Sequence, residues 1–171
     1  MLNRIARLMR HRWMEDAHRI VSTEMLERLR AKVEASENMH TGEIRICIES
    51  ALPSSYLLRA ASLPTIIRQR ALTQFGKLGV WDTEHNNGVL IYLLLSERQI
   101  ELVADRGLSL HVGPQVWQEM VKRLSLALRD GKFEDGLTMV IADVTEALKA
   151  HFPLADGQHR RNELPDQPEL V

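Results

Sequence analysis

One stretch, LGVWDTEHNNGVLIYLLLSERQIELVADRG at residues 78–107, constrains the fold more than any other. A polar loop from Trp81 to Gly88 runs into an unbroken apolar segment, Val89 to Leu95. A turn at Ser96–Arg98 leads to a second segment, Gln99 to Asp105, in which Ile100, Leu102 and Ala104 share one side. Apolar runs of this length between turn residues read as a β-hairpin at the centre of a sheet. The first strand lacks the usual polar alternation, so both of its faces should be covered. The acids at the ends of the hairpin lie on the rim of the sheet, where open α/β sheets place their ligands.

The segments around the hairpin read as helices and one more strand. Ser22 or Thr23 caps a helix running to about Met39, with Val21, Met25, Leu26, Leu29 and Val33 as its apolar stripe. Glu43 to Glu49 alternates, with isoleucines facing a core and Arg45 and Glu49 facing a wetter side. Pro64 starts a crossover helix that ends near Gly76 or Gly79. Strand, helix, strand implies a parallel pair joined by a right-handed crossover. Ser109 to Val112 reads as a further short strand. Two amphipathic helices follow, one opened by Pro114 and one from about Glu134 to Lys149. The expected class is α/β, a small mixed central β-sheet flanked by helices. The expected organisation is a basic amphipathic segment at 1–21, an α/β domain at 22–152 and an extended polar tail at 153–171.

Bulk properties narrow the function classes. A 171-residue chain with 44% hydrophobic residues suits one globular domain with a substantial core. A net charge of −1 argues against nucleic acid as the main partner. The single Cys47 excludes an internal disulfide and any multi-cysteine metal site, and its strand position suits a packed side chain. No apolar run approaches the roughly 18 residues of a membrane span. The expected compartment is therefore the cytoplasm. Leu2, Ile5, Leu8 and Trp13 share a helical face among Arg4, Arg7, Arg10 and Arg12. Residues 1–13 thus suit peripheral contact with an anionic inner-membrane surface or an acidic partner, or else a frayed start or a helix packed on its own domain.

The candidate chemistry sits on the rim. Asp82, Glu84, Asn86 and Asn87 offer the oxygen ligands that calcium or magnesium prefers. Asp82 precedes one hairpin strand and Asp105 ends the other, so antiparallel pairing brings the two ends together. These two acids are the candidate metal ligands. The same residue types also bond their own backbone at turns. Arg106 can grip a carboxylate or phosphate bidentately, or clamp the loop. His85 is the one histidine of seven inside the loop. No nucleophile elbow, phosphate-binding glycine loop or HExxH pair is present in the sequence.

The order of these pieces resembles the TPM domain family. The resemblance covers about Thr41 to Phe152, with the capped helix before it. It is carried by Thr41-Gly42-Glu43-Ile44, Arg70-Ala71 with Phe75, Trp81, Asn86-Asn87-Gly88-Val89-Leu90, Gly107-Leu108, and Gly131-Lys132-Phe133-Glu134-Asp135-Gly136-Leu137. It implies an α/β sandwich of TPM type. Some members bind divalent cations, some look like weak acid phosphatases, and others are accessory factors for membrane protein complexes. Many carry a signal or a transmembrane helix; this sequence reads as having neither. The family commonly shows Gly-Tyr-Gly-Leu followed by an aspartate. Here Asp105-Arg106-Gly107-Leu108 is followed by Ser109 to Gly113, without that aspartate. The reading that follows is a non-catalytic binding or accessory domain with a protein partner and a divalent cation at the rim. The alternatives are a metal-dependent phosphatase and a membrane-surface adaptor acting through residues 1–13.

Overall fold

A computed structural model describes residues 21–155, 157 and 161–171. The amphipathic segment expected at residues 1–13 lies outside them. Among the described residues, the sheet has four strands in the order β3-β2-β1-β4. Strand β1 (Ile44–Glu49) pairs in parallel with β2 (Val89–Leu94), which pairs antiparallel with β3 (Gln99–Ala104). A 3-10 turn at Leu95–Glu97 and a left-handed Arg98 close the hairpin. The last strand, β4 (Glu169–Leu170), adds in parallel to the free edge of β1.

The helices are α1 (Thr23–Glu37), α2 (Ser54–Leu57), α3 (Leu63–Lys77), α4 (Arg106–Ser109), α5 (Pro114–Arg129) and α6 (Phe133–His151). Local signals explain their starts. Ser22 accepts from the Met25 amide and Ser62 from the Thr65 amide, and prolines occupy the first turns of α3 and α5. Glu134 and Asp135 sit in the first turn of α6, where the helix dipole favours acids.

Strand alternation builds two cores. Ile44, Ile46, Ile48, Val89, Ile91 and Leu93 face α1, α5 and α6. Cys47, Leu90, Tyr92 and Leu94 face α2 and α3, where Ile66, Ile67 and Ala71 cover them. This makes three layers, helix–sheet–helix, and it explains why β2 is apolar on both faces.

Two sequence expectations need correction. Arg45 and Glu49 are 3% and 2% exposed, not solvated. The Arg70 guanidinium reaches down from α3 to Glu49, at 2.6–3.1 Å through Nε and Nη2, and the Tyr92 hydroxyl donates to the same carboxylate at 2.6 Å. The tail covers Arg45, which donates to the Pro165 and Gln167 carbonyls. Ser109 to Val112 is not a strand. Asp105 instead turns the chain into the single-turn helix α4, whose end carries Ser109 and Leu110 back toward α5. Among the described residues, no helix is long and apolar enough to cross a membrane.

Candidate functional site

The rim that gathers the predicted residues lies at the amino ends of β1 and β2. The loop 81–88 precedes β2, and Asp105 follows the antiparallel β3. Open α/β sheets bind ligands outside the carboxyl ends of their strands, so this rim is the opposite one. Because residues 81–88 precede β2 in the chain, the expectation that this is the ligand rim of an open α/β sheet is not met.

Backbone pairing continues past the strands and fixes the loop. The Asp105 amide donates to the Gly88 carbonyl and the Gly107 amide to the Asn86 carbonyl, each at 2.8 Å. Two glycines permit this closeness. A Cβ at Gly107 would sit 2.5 Å from both the His85 and Asn86 carbonyl oxygens, and one at Gly88 would strike the Val80 carbonyl. Asn86 takes a left-handed φ of 52°, which asparagine tolerates better than most residues.

The side chains divide into three groups. Asn86 and Arg106 meet: the guanidinium donates to Asn86 Oδ1 through Nε at 3.0 Å and Nη2 at 2.7 Å. Arg106 thus clamps the loop in the exposed arrangement that the sequence allows. Asp105 is half-buried, its Oδ1 accepting from the Arg106 amide at 2.7 Å, and its Oδ2 is buried with no hydrogen-bond partner. Asn87 is fully buried: its amide donates to Thr83 Oγ1, its Nδ2 to Thr41 Oγ1, and its Oδ1 is also without a partner.

Asp82, Glu84 and His85 are exposed. The Asp82 amide closes a turn on the Gly79 carbonyl. The Glu84 amide donates to the Glu163 carboxylate at 3.1 Å. Among the described residues, no three His, Cys, Asp or Glu side chains converge as a metal-ligand set.

Sequence reasoning missed the buried charges under this rim. Glu43, 1% exposed, accepts from the Glu163 and Leu164 amides at 3.2 Å each. Burial pushes its carboxyl up to about 7, with the Glu163 and Asp166 charges adding to the shift. Glu37 caps the first amide of β1, accepting from Ile44 at 2.6 Å. His40 is enclosed between Ser36 Oγ, 3.0 Å from Nε2, and the Gly42 carbonyl, 3.1 Å from Nδ1, and burial lowers its pKa to about 4. No local sequence signal marks Glu43, because its partners arrive from the tail 120 residues on. Cys47 is buried, and desolvation pushes its thiol up to about 12, which suits packing rather than reactivity.

The fold has known counterparts. The TPM domain model matches residues 14–147. The chain belongs to the TPM domain family. As a TPM domain it shares its fold with the BA42 protein from the psychrophilic bacterium Bizionia argentinensis, solved by NMR, at a TM-score of 0.73 and 23% identity, covering 87% of this chain and 94% of that one. It also shares the fold of the N-terminal domain of a P. gingivalis protein, with a TM-score of 0.60, 21% identity and 86% coverage of each chain. No curated protein matches this TPM domain.

Proposed function

We propose that this TPM domain is a non-catalytic binding domain whose rim takes a hard divalent cation, calcium or magnesium, at Asp105. The observation that carries the reading is the Asp105 Oδ2 atom, buried with no hydrogen-bond partner. An unpaired buried acceptor costs about 1–3 kcal/mol, which a cation would relieve. A Cβ at Gly107, two residues on from Asp105, would lie 2.5 Å from the His85 and Asn86 carbonyl oxygens, so main-chain oxygens are candidates for further ligands. Calcium takes six to eight oxygens, about that order in most sites, so water and exposed Asp82 would complete the shell. With one buried carboxylate oxygen, the site suits a weak, exchangeable ion.

The rim side chains support binding over turnover. Arg106 is committed to Asn86, and Asp105 to the start of α4, so both act on the loop itself. The runner-up is a metal-dependent phosphatase, in which Arg106 would have to leave Asn86 to hold a phosphate.

Calcium and magnesium titrations followed by amide NMR test the reading. The expected result is saturable shifts within residues 81–88 and 104–107, abolished in Asp105→Asn, which keeps an acceptor for the Arg106 amide. Unchanged spectra at millimolar metal would remove the cation. Metal-dependent hydrolysis of a phosphate ester, lost in Asp105→Asn, would overturn the non-catalytic reading.

A further inference from the structure

We propose that the outer edge of β3 is a docking groove for an extended acidic peptide segment, which adds to the sheet as a fifth strand. The proposal deepens the binding-domain reading by naming a surface and a kind of partner.

Hydrogen-bond alternation identifies the groups that point away from β2. Asp105 donates to Gly88, and pairs alternate along an antiparallel ladder. Val103, Glu101 and Gln99 therefore bond to β2, while Ile100, Leu102 and Ala104 turn their backbone groups outward. Two side-chain contacts agree. Arg68 donates to the Leu102 carbonyl at 2.8 Å and Ser109 to the Ala104 carbonyl at 3.0 Å. Natural edges are commonly guarded in this way. The guard here covers carbonyls; the outward amides of Ile100, Leu102 and Ala104 face a cleft of about 560 Å³ between β3 and α5.

The walls of that cleft specify the guest. Side chains on an added strand would alternate between its two faces. One set meets Trp117, Val121 and Val112 and should be apolar. The other set meets Arg68 on α3, whose side chain is 45% exposed and pairs with Glu101, also on the cleft, at 3.2 Å. Lys122, exposed and 3.8 Å from Glu119 on its own helix, adds a second positive charge on the α5 side. A guest carboxylate would draw Arg68 off the Leu102 carbonyl and free that carbonyl for a guest amide. Arg68 thereby exchanges its neutral acceptor for a second carboxylate beside Glu101, and the charge-assisted bond is the stronger type. The same charges disfavour the chain's own residues 1–13, which carry Arg4, Arg7, Arg10 and Arg12. Strand addition takes affinity from the main chain and specificity from alternate side chains.

The test is native-state amide exchange of the full chain with a short capped peptide alternating valine and glutamate. Ile100 and Leu102 amides should gain protection on titration. A valine–lysine peptide should bind on the order of tenfold more weakly, about 1.4 kcal/mol. Arg68→Ala, at a half-exposed site, should erase that preference without altering cation shifts at the rim. Equal binding of both peptides, or no protection at millimolar peptide, would overturn the proposal and leave the cation reading intact. Protection that grows with protein concentration alone would also overturn it, by making a second copy the occupant.

Discussion

Glu43 and His40 sit on the segment that leads into β1 and titrate in opposite senses. The Glu43 carboxyl is raised to about 7 from 4.5, so the folded state holds its proton more tightly than the unfolded chain does. Its contribution is fully present below pH 4.5 and is lost as pH rises through 7, by about 3 kcal/mol. His40 is lowered to about 4 from 6.5, so its contribution is present above pH 6.5 and is lost as pH falls through 4, by a similar amount. Over the interval between, the two trends oppose one another and stability should be nearly flat. Single variants expose the hidden slopes. Relative to wild type, Glu43→Gln should gain about 3 kcal/mol between pH 4.5 and 8 by urea denaturation. His40→Gln should gain a similar amount relative to wild type between pH 7 and 4. Parallel profiles for wild type and variant would mean that these groups are not the source. The Nδ1–H tautomer of His40 follows from its carbonyl partner, Gly42, since a carbonyl accepts only.

At the scale of elements, the link between α3 and β1 is ionic at its centre. Arg70 and Glu49 are both buried, and Tyr92 donates to the same carboxylate. Removing one partner leaves an uncompensated buried charge, so Arg70→Met should cost about 3–5 kcal/mol. Replacing both, as Glu49→Leu with Arg70→Met, should recover most of that loss, read from denaturant midpoints. Recovery no greater than additive would show that the two charges act independently. The same pair marks where sequence reading stopped. The hairpin, the crossover helix and the stripes of α1, α5 and α6 were legible, because periodicity and caps are local signals. Arg45 and Glu49 were read as solvated because alternation reports two faces and not what covers them. Arg70 reaches Glu49 from 21 residues on, and the cover over Arg45 arrives from 120 residues away. In the rim, the sequence singled out Arg106, Asn86 and Asp105, which the structure brings together. It missed Glu43, whose surroundings are set by the tail.

At the scale of the whole molecule, the tail completes the sheet. Without β4 the outer edge of β1 would be open, a template for pairing with another chain. Three polar anchors hold the tail: Arg45 on the Pro165 and Gln167 carbonyls, Glu43 on two tail amides, and Glu163 on the Glu84 amide of the rim loop. The Val171 backbone closes the far end, pairing with Ile48 and Ser50. Leu164 packs against the α3-side core. The tail therefore adds a tie between the candidate loop and the sheet. Deleting residues 161–171 leaves Arg45 and Glu43 without those partners beside an uncovered edge. The shortened chain should unfold at a lower urea concentration than the full chain, because the Leu164 packing and the backbone pairing of Val171 with Ile48 and Ser50 are lost. It should also self-associate in sedimentation at concentrations where the full chain stays monodisperse. Full-chain stability in the deletion, with unchanged exchange at residues 44–49, would show that β1 needs no cover and that the tail is only an appendage.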